Sequence, residues 1–183
     1  LPPMLARLRV AEPGIGVEIV ATNAVSNLLE READIAIRMV RPRQASLVAR
    51  RVGRMDVGVY ASRAYLDAHP RPRRPADLAR HDLLLYADND AIERGFRRAH
   101  IPLEPKRVAL RTANHLVYWQ ALRAGIGVGF VSVLIADEEP ALGRLVRTLP
   151  VPPLDAWLAV HRELRSSRRI RRVYDFLADA LSA

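Results

Sequence analysis

Residues 107–133 read RVALRTANHLVYWQALRAGIGVGFVSV, and no other stretch restricts the fold as strongly. Residues 108–110 have the short apolar run of a strand. Thr112-Ala113-Asn114 then supplies two residue types whose side-chain oxygens accept from the first N–H groups of a helix. Leu116, Val117, Trp119, Ala121, Leu122 and Ala124 provide the apolar face of that helix, and Gly125 stands where a left-handed residue stops it. Gly127 and Gly129 lead into a second strand, residues 128–133, whose small and apolar side chains suit burial on both faces. The stretch is therefore a β-α-β unit. In open sheets of this kind ligands gather at the carboxyl ends of the strands, where helix N-termini aim N–H groups outward. Thr112 and Asn114 belong at such an end.

The rest of the chain alternates in the same way. Pro2 and Pro3 open a helix over residues 2–12 with Leu1, Met4, Leu5 and Leu8 at spacings of three and four, and Pro13-Gly14 ends it. Residues 17–21 read as a strand, Thr22-Asn23 as a cap, and Val25, Leu28 and Leu29 as the buried side of a helix ending near Glu32. Residues 34–39, DIAIRM, form the next strand. Arg38 at its end is a cation on an apolar strand and needs a carboxylate, with Asp34 and Glu18 at hand, or an anionic ligand. Strands follow at residues 47–52 and 57–61, with Ser62 capping a helix that holds Tyr65 and Leu66. Pro75 opens a short helix, residues 83–86 are a strand, and residues 87–105 are expected to be a loop with one helical turn around Phe96. Strands are expected at residues 145–149 and 156–161. Ser166 or Ser167 caps a last helix carrying Ile170, Val173, Tyr174, Leu177 and Leu181 on one face. The pattern is α/β, and the two capped rims imply two subdomains.

Composition narrows the function. The net charge of +9 is spread evenly, with basic minus acidic counts of 9−6, 14−10 and 6−4 over residues 1–57, 58–153 and 154–183. That is not the stripe or tail of a direct nucleic-acid binder. Of the 29 basic residues only Lys106 is lysine, so the arginine bias reads as coding composition rather than phosphate recognition. The absence of cysteine suits a reducing compartment, and no apolar run approaches the roughly 20 residues of a membrane span. A cytoplasmic protein is expected, and a chain whose first element is already a helix is expected to be part of a longer one.

The ordered series DIAIR, ARRVGRMDVGVYASRAYL, PADLARHDLL, LRTAN, ALRAGIGVGF, GRLVRTLP and WLAVHRELRSSRRIRRVYDFL resembles the effector-binding domain of LysR-type transcriptional regulators along nearly the whole chain. The resemblance implies a periplasmic-binding-protein-like fold of type 2, with two α/β subdomains joined by two crossover strands. Subdomain I would comprise residues 1–57 plus 154–183 and subdomain II residues 58–153. The family's effector sits in the cleft between the subdomains, and a carboxylate is the chemistry expected. By matching motif, the effector-binding candidates are Thr22, Asn23, Arg38, Ala61, Ser62, Thr112, Asn114, Phe130, Val131 and Ser132. The resemblance further implies a homodimer or homotetramer and contact with DNA only through a winged helix-turn-helix that this chain does not contain. The family's first strand and following loop would precede Leu1. Many members carry Leu-Pro where this chain has Val131-Ser132.

Other chemistries lack candidates. His69, His81, His100, His115 and His161 show no metal-ligand spacing, no GxSxG or P-loop pattern occurs, and no cofactor is called for. Asp88-Asn89-Asp90 with Glu93 lacks the glycine of a calcium loop. GIGVG follows a helix rather than opening one, so it is a stop and return, not a dinucleotide loop. The Arg168, Arg169, Arg171 and Arg172 cluster is expected to be a solvated face. A transport-type solute-binding protein is the alternative with the same fold, and an export signal upstream would distinguish it.

Overall fold

Turn chemistry and apolar spacing together decide where the elements fall in the computed structural model, which describes residues 1–21 and 33–182. In chain order the elements are α1 Pro2–Ala11, β1 Ile35–Arg38, β2 Leu47–Met55, β3 Val57–Ser62, α2 Arg63–Ala68, β4 Leu83–Tyr86, α3 Ala91–Arg98, β5 Val108–Thr112, α4 His115–Arg123, β6 Gly129–Ser132, α5 Val133–Ala136, β7 Leu142–Leu145, β8 Leu154–His161 and α6 Arg168–Ser182. The chain divides into two compact units, Leu1–Arg54 with Leu154–Ala183, and Met55–Pro153.

In the first unit a three-stranded sheet has the order β1-β8-β2, and β1 pairs antiparallel to β8 with Arg38 opposite Trp157. Proline at the start of α1 supplies a helical φ where no N–H is needed. Leu8 of α1 and Val173, Leu177 and Ala178 of α6 close over Val52, Ala156 and Leu158. The approach of α6 is close enough that a Cβ on Gly53 would lie 2.6 Å from the Leu181 carbonyl oxygen. The helix begins at Arg168, and the Ser167 carbonyl accepts the Arg171 N–H at 2.9 Å. Arg168, Arg169, Arg171 and Arg172 are all exposed, as their placement on a solvated face requires.

The expected strand at residues 17–21 is not formed. Apolar alternation favours a strand, yet a strand exists only by pairing, and no described strand pairs with this segment, while Val17, Ile19 and Val20 remain exposed. The expected helix ending near Glu32 lies outside the described residues.

In the second unit β3 pairs antiparallel with both β6 and β7, and β4 pairs parallel with β5. The two groups are stitched together where Leu84 N–H donates to Val128 O at 2.9 Å and Val128 N–H to Asp82 O at 2.8 Å, a parallel bridge. The spatial order is thus β5, β4, β6, β3, β7, and α4 carries the chain from β5 over β4 to β6. Leu83, Leu84 and Leu85 are all fully buried, because helices and loops cover both faces of the sheet. Val59, Leu78, Leu83, Leu85, Phe96 and Val128 pack on one side, and Tyr60, Leu84, Tyr118, Ala121 and Leu122 on the other.

Three details of this unit depart from the sequence expectation. On α4 the buried residues are Tyr118, Ala121 and Leu122, while Leu116 is 66% exposed and Val117 48%. Spacings of three and four from Tyr118 define the inner face, and the first-turn aliphatics fall off it. Residues 91–98 form two turns of helix, not one, because Phe96 anchors them edge-on to Phe130 at 6.1 Å and Asn89 Oδ1 accepts the Ala91 N–H at 2.9 Å. The strand expected at residues 145–149 runs instead over Leu142–Leu145. Val146 takes φ +39°, and Leu149 N–H closes a turn onto its carbonyl at 2.9 Å.

At the amino-terminal end of β4 and β6 the unit is held by buried polar contacts. Ser62 Oγ accepts the Tyr65 N–H at 3.1 Å and so caps α2. Tyr65 Oη accepts the Asp82 N–H at 3.0 Å and lies 3.2 Å from His81 Nδ1. The phenolic proton is therefore available to His81, whose Nδ1 must carry a lone pair to take it. His81 is 5% exposed, and burial followed by repulsion from His69 lowers its pKa, against weaker support from Asp82 and Asp77 and a further lowering by Arg107. Gly125 ends α4 with φ +81°, and a Cβ there would stand 2.9 Å from Ser62 Oγ.

Two measurements check these contacts. Gly125→Val should cost roughly 1–3 kcal/mol in denaturant unfolding, whereas Gly95→Ala, in open space within α3, should gain roughly 0.5–1 kcal/mol. Because the His81 pKa is lower folded than unfolded, the unfolded chain takes up the extra proton. Stability is full above the ordinary imidazole value and falls as pH drops below it, by at most about 1.4 kcal/mol per pH unit. Urea unfolding at pH 7.5 and 5.5 should show that loss, and His81→Gln should flatten it.

Candidate functional site

Parallel pairing brings the carboxyl ends of β4, β5 and β6 to one edge of the second unit. Tyr86 of β4 stands opposite Thr112 of β5, and Ala87 N–H donates to Thr112 O at 3.1 Å. Ser132 closes β6 at the same edge, opposite Val57. The amino-terminal end of α4 completes the rim, so the structure gathers Thr112, Asn114, Val131 and Ser132 of the sequence candidates.

Local chemistry makes this rim rich in donors. Of the N–H groups in the first turn of α4, those of Leu116 and Val117 are taken by Asn114 Oδ1 at 2.9 and 3.1 Å, and that of Asn114 by Thr112 Oγ1 at 3.1 Å. Each cap that consumes an acceptor frees a donor. With Oδ1 turned to the backbone, the exposed Asn114 presents its Nδ2 amide outward, and Thr112 keeps its own hydroxyl proton. Tyr86 Oη lies 3.3 Å from His115 Nδ1, and its ring stacks on Tyr118 at 4.2 Å. Burial, with a smaller contribution from Asp88, pushes the Tyr86 hydroxyl up to about 12, so it stays protonated and able to donate. Ser132 Oγ is buried without a partner among the described residues.

Tyr118 was not recognised from sequence as part of this arrangement. It is 1% exposed, donates to Leu84 O at 3.0 Å and accepts the Phe130 N–H at 2.9 Å, which fixes β6 against β4. Burial pushes its pKa upward, so the hydroxyl keeps the proton it donates. The usable signal was its position three and four residues before Ala121 and Leu122. Tyr86 and His115 carry no local signal of the rim, since Tyr86 ends an apolar strand and His115 fits no metal-ligand spacing.

Other candidates lie elsewhere. Ala61 and Ser62 sit at the opposite end of the sheet, since β3 runs antiparallel to β6. Ser62 faces Gly125 at the far end of α4, about 14 Å of helix from Asn114. Ser62 is 2% exposed and its oxygen serves the α2 cap, and Ala61 is fully buried, so neither belongs to the rim. Phe130 is buried in the core. Arg38 is half-buried at the end of β1 in the first unit. Thr22 and Asn23 lie outside the described residues. Among the described residues no cluster of three or more metal-binding side chains occurs, and no helix is long and apolar enough to cross a membrane.

Comparison with known proteins adds to this geometry. The family model for the LysR substrate binding domain matches residues 1–182. The HTH-type transcriptional activator AaeR of Escherichia coli K12 is 30% identical over 153 residues, which is 80% of this chain and 48% of that protein. The Mau operon transcriptional activator of Paracoccus denitrificans is 30% identical over 186 residues, 98% of this chain and 59% of the relative. The chain thus spans about half the length of these curated relatives. The regulatory domain of CrgA from Neisseria meningitidis superposes with TM-score 0.83 at 21% identity, covering 98% of this chain and 91% of that one. The effector domain of AmpR from Pseudomonas aeruginosa gives 0.76 at 18%, covering 99% and 87%. These likenesses show the fold, the type 2 periplasmic-binding α/β architecture of LysR regulatory domains, and with the family match along the whole described chain they establish that it belongs to the LysR substrate-binding domain family.

Proposed function

We propose that this domain is the sensing part of a cytoplasmic LysR-type transcriptional regulator, and that the rim formed by Tyr86, Thr112, Asn114, His115 and Ser132 holds the carboxylate of a small effector. The observation that carries the reading is the surplus of donors there: the Asn114 amide, the Thr112 and Ser132 hydroxyls and the one proton left over from the Tyr86–His115 contact, arranged where capping has already taken up Asn114 Oδ1. A carboxylate is acceptor-only and takes up such a surplus without leaving a donor unpaired. The regulators among the relatives support this reading over a transport protein, and the reading assigns the domain binding rather than catalysis.

Effector binding shifts a conformational equilibrium by its difference in affinity for the two states, about 1–3 kcal/mol in typical coupled systems. In the whole protein, a homodimer or homotetramer, that shift passes to a DNA-binding helix-turn-helix. The domain needs no cofactor for this.

Asn114→Asp tests the site without removing the cap, because aspartate also accepts the Leu116 and Val117 N–H groups. It replaces two donors with a second acceptor and a negative charge. A panel of aromatic and aliphatic carboxylates screened by thermal shift should yield at least one that stabilises the wild type, by about 2.7 kcal/mol at a hundredfold excess over Kd. Asn114→Asp should weaken that acid at least tenfold while melting within a few degrees of wild type, and Ser62→Ala should lower the melt by about 1 kcal/mol and leave the affinity alone. Equal affinity of the wild type and Asn114→Asp for every acid would remove the site.

A further inference from the structure

Outside the rim, one concavity in the first unit gathers cations that the fold does not balance. A cavity of about 470 Å³ is walled by Val48 and Arg50 of β2, Val160 of β8, Arg165 in the turn before α6, and Ile170, Arg171, Tyr174 and Asp175 of α6. That volume is within the range of small-molecule sites. Three guanidiniums face one carboxylate, a surplus of two positive charges among the lining groups. Arg171 shares Asp175 at 3.9 Å, while Arg50 and Arg165 form no ion pair among the described residues. Like charges crowded in a concavity repel, and a bound anion relieves that repulsion.

The floor is of a different character. Val160 and Ile170 are buried, and the half-buried Tyr174 donates through Oη to Leu158 O at 3.3 Å, which anchors its ring as one wall. Burial raises the Tyr174 pKa, and Arg50 and Arg165 oppose that rise, so both guanidiniums bear on the hydroxyl end of the ring. The site therefore offers planar bidentate donors above an apolar base.

We propose that this cavity is a second ligand site, independent of the rim, for a small molecule that carries two negative charges on an apolar body. Arg50 and Arg165 clamp the charged group, Val160, Ile170 and the Tyr174 ring pack the body, and Asp175 limits affinity by repulsion while holding Arg171 in place. A phosphate monoester and a dicarboxylate share this chemistry.

Calorimetry on the full 183-residue chain with phenyl phosphate, phthalate and benzyl alcohol tests it. One or both dianions should bind, at least tenfold more tightly than the neutral alcohol, and whichever binds tighter identifies the anionic group. Arg50→Gln combined with Arg165→Gln should weaken that dianion at least tenfold, and Asp175→Asn should tighten it severalfold. Arg168→Gln combined with Arg169→Gln, on the exposed start of α6, should leave it within twofold. The proposal is overturned if neither dianion binds at 10 mM or if the alcohol binds as well. It is equally overturned if the Arg168 and Arg169 pair matters as much as Arg50 and Arg165, which would mark general attraction to a basic surface.

Discussion

The second unit depends on how one phenolic hydroxyl is shared. Tyr118 gives its proton to the Leu84 carbonyl and receives the Phe130 N–H, so two backbone groups that the sheet leaves unpaired between β4 and β6 are both satisfied in the dry interior. A buried backbone group without a partner costs about 1–3 kcal/mol, which is enough to decide whether the two strands meet in this register. The same ring stacks on Tyr86, so the interaction that joins the strands also sets the aromatic floor of the rim. Burial and positioning are here one contact.

Capping and ligand binding compete for the same groups at a helix start, and the outcome at α4 is instructive. The first-turn N–H groups, which at an uncapped helix start would be open to an anion, are mostly spent on Asn114 and Thr112. What remains for a ligand is the reverse side of the same side chains: the amide hydrogens of Asn114 and the hydroxyl proton of Thr112. The helix is stabilised by about 1 kcal/mol through its cap, and the donors left over are set one atom further out.

Much of this was legible in the chain. The strand, cap, helix and glycine series around Asn114 and Gly125 could be read because each signal is local: a cap needs an oxygen at one position, and a left-handed stop needs a glycine. Segments whose state depends on distant partners were not. Residues 17–21 alternate as a strand does, but pairing decides strands, and nothing local reports a partner. Phe96 turned an expected loop into helix α3 through its contact with Phe130, far away in sequence. Tyr118 has no place in the sequence reading of the helix face, because its burial makes sense only once Leu84 O and Phe130 N–H are in place. Ser62 was read correctly as a cap, but capped ends look alike in sequence, and strand direction sent this one to the other end of the sheet.

That separation has its own consequence. Positions about 14 Å apart along α4, with no shared partner, respond to substitution almost additively. Residues at one extremity of α4 can therefore change while Ser62, Tyr65 and His81 at the other continue to hold the lobe together. A domain wired in this way can change its chemistry at one end without first acquiring a reserve of stability.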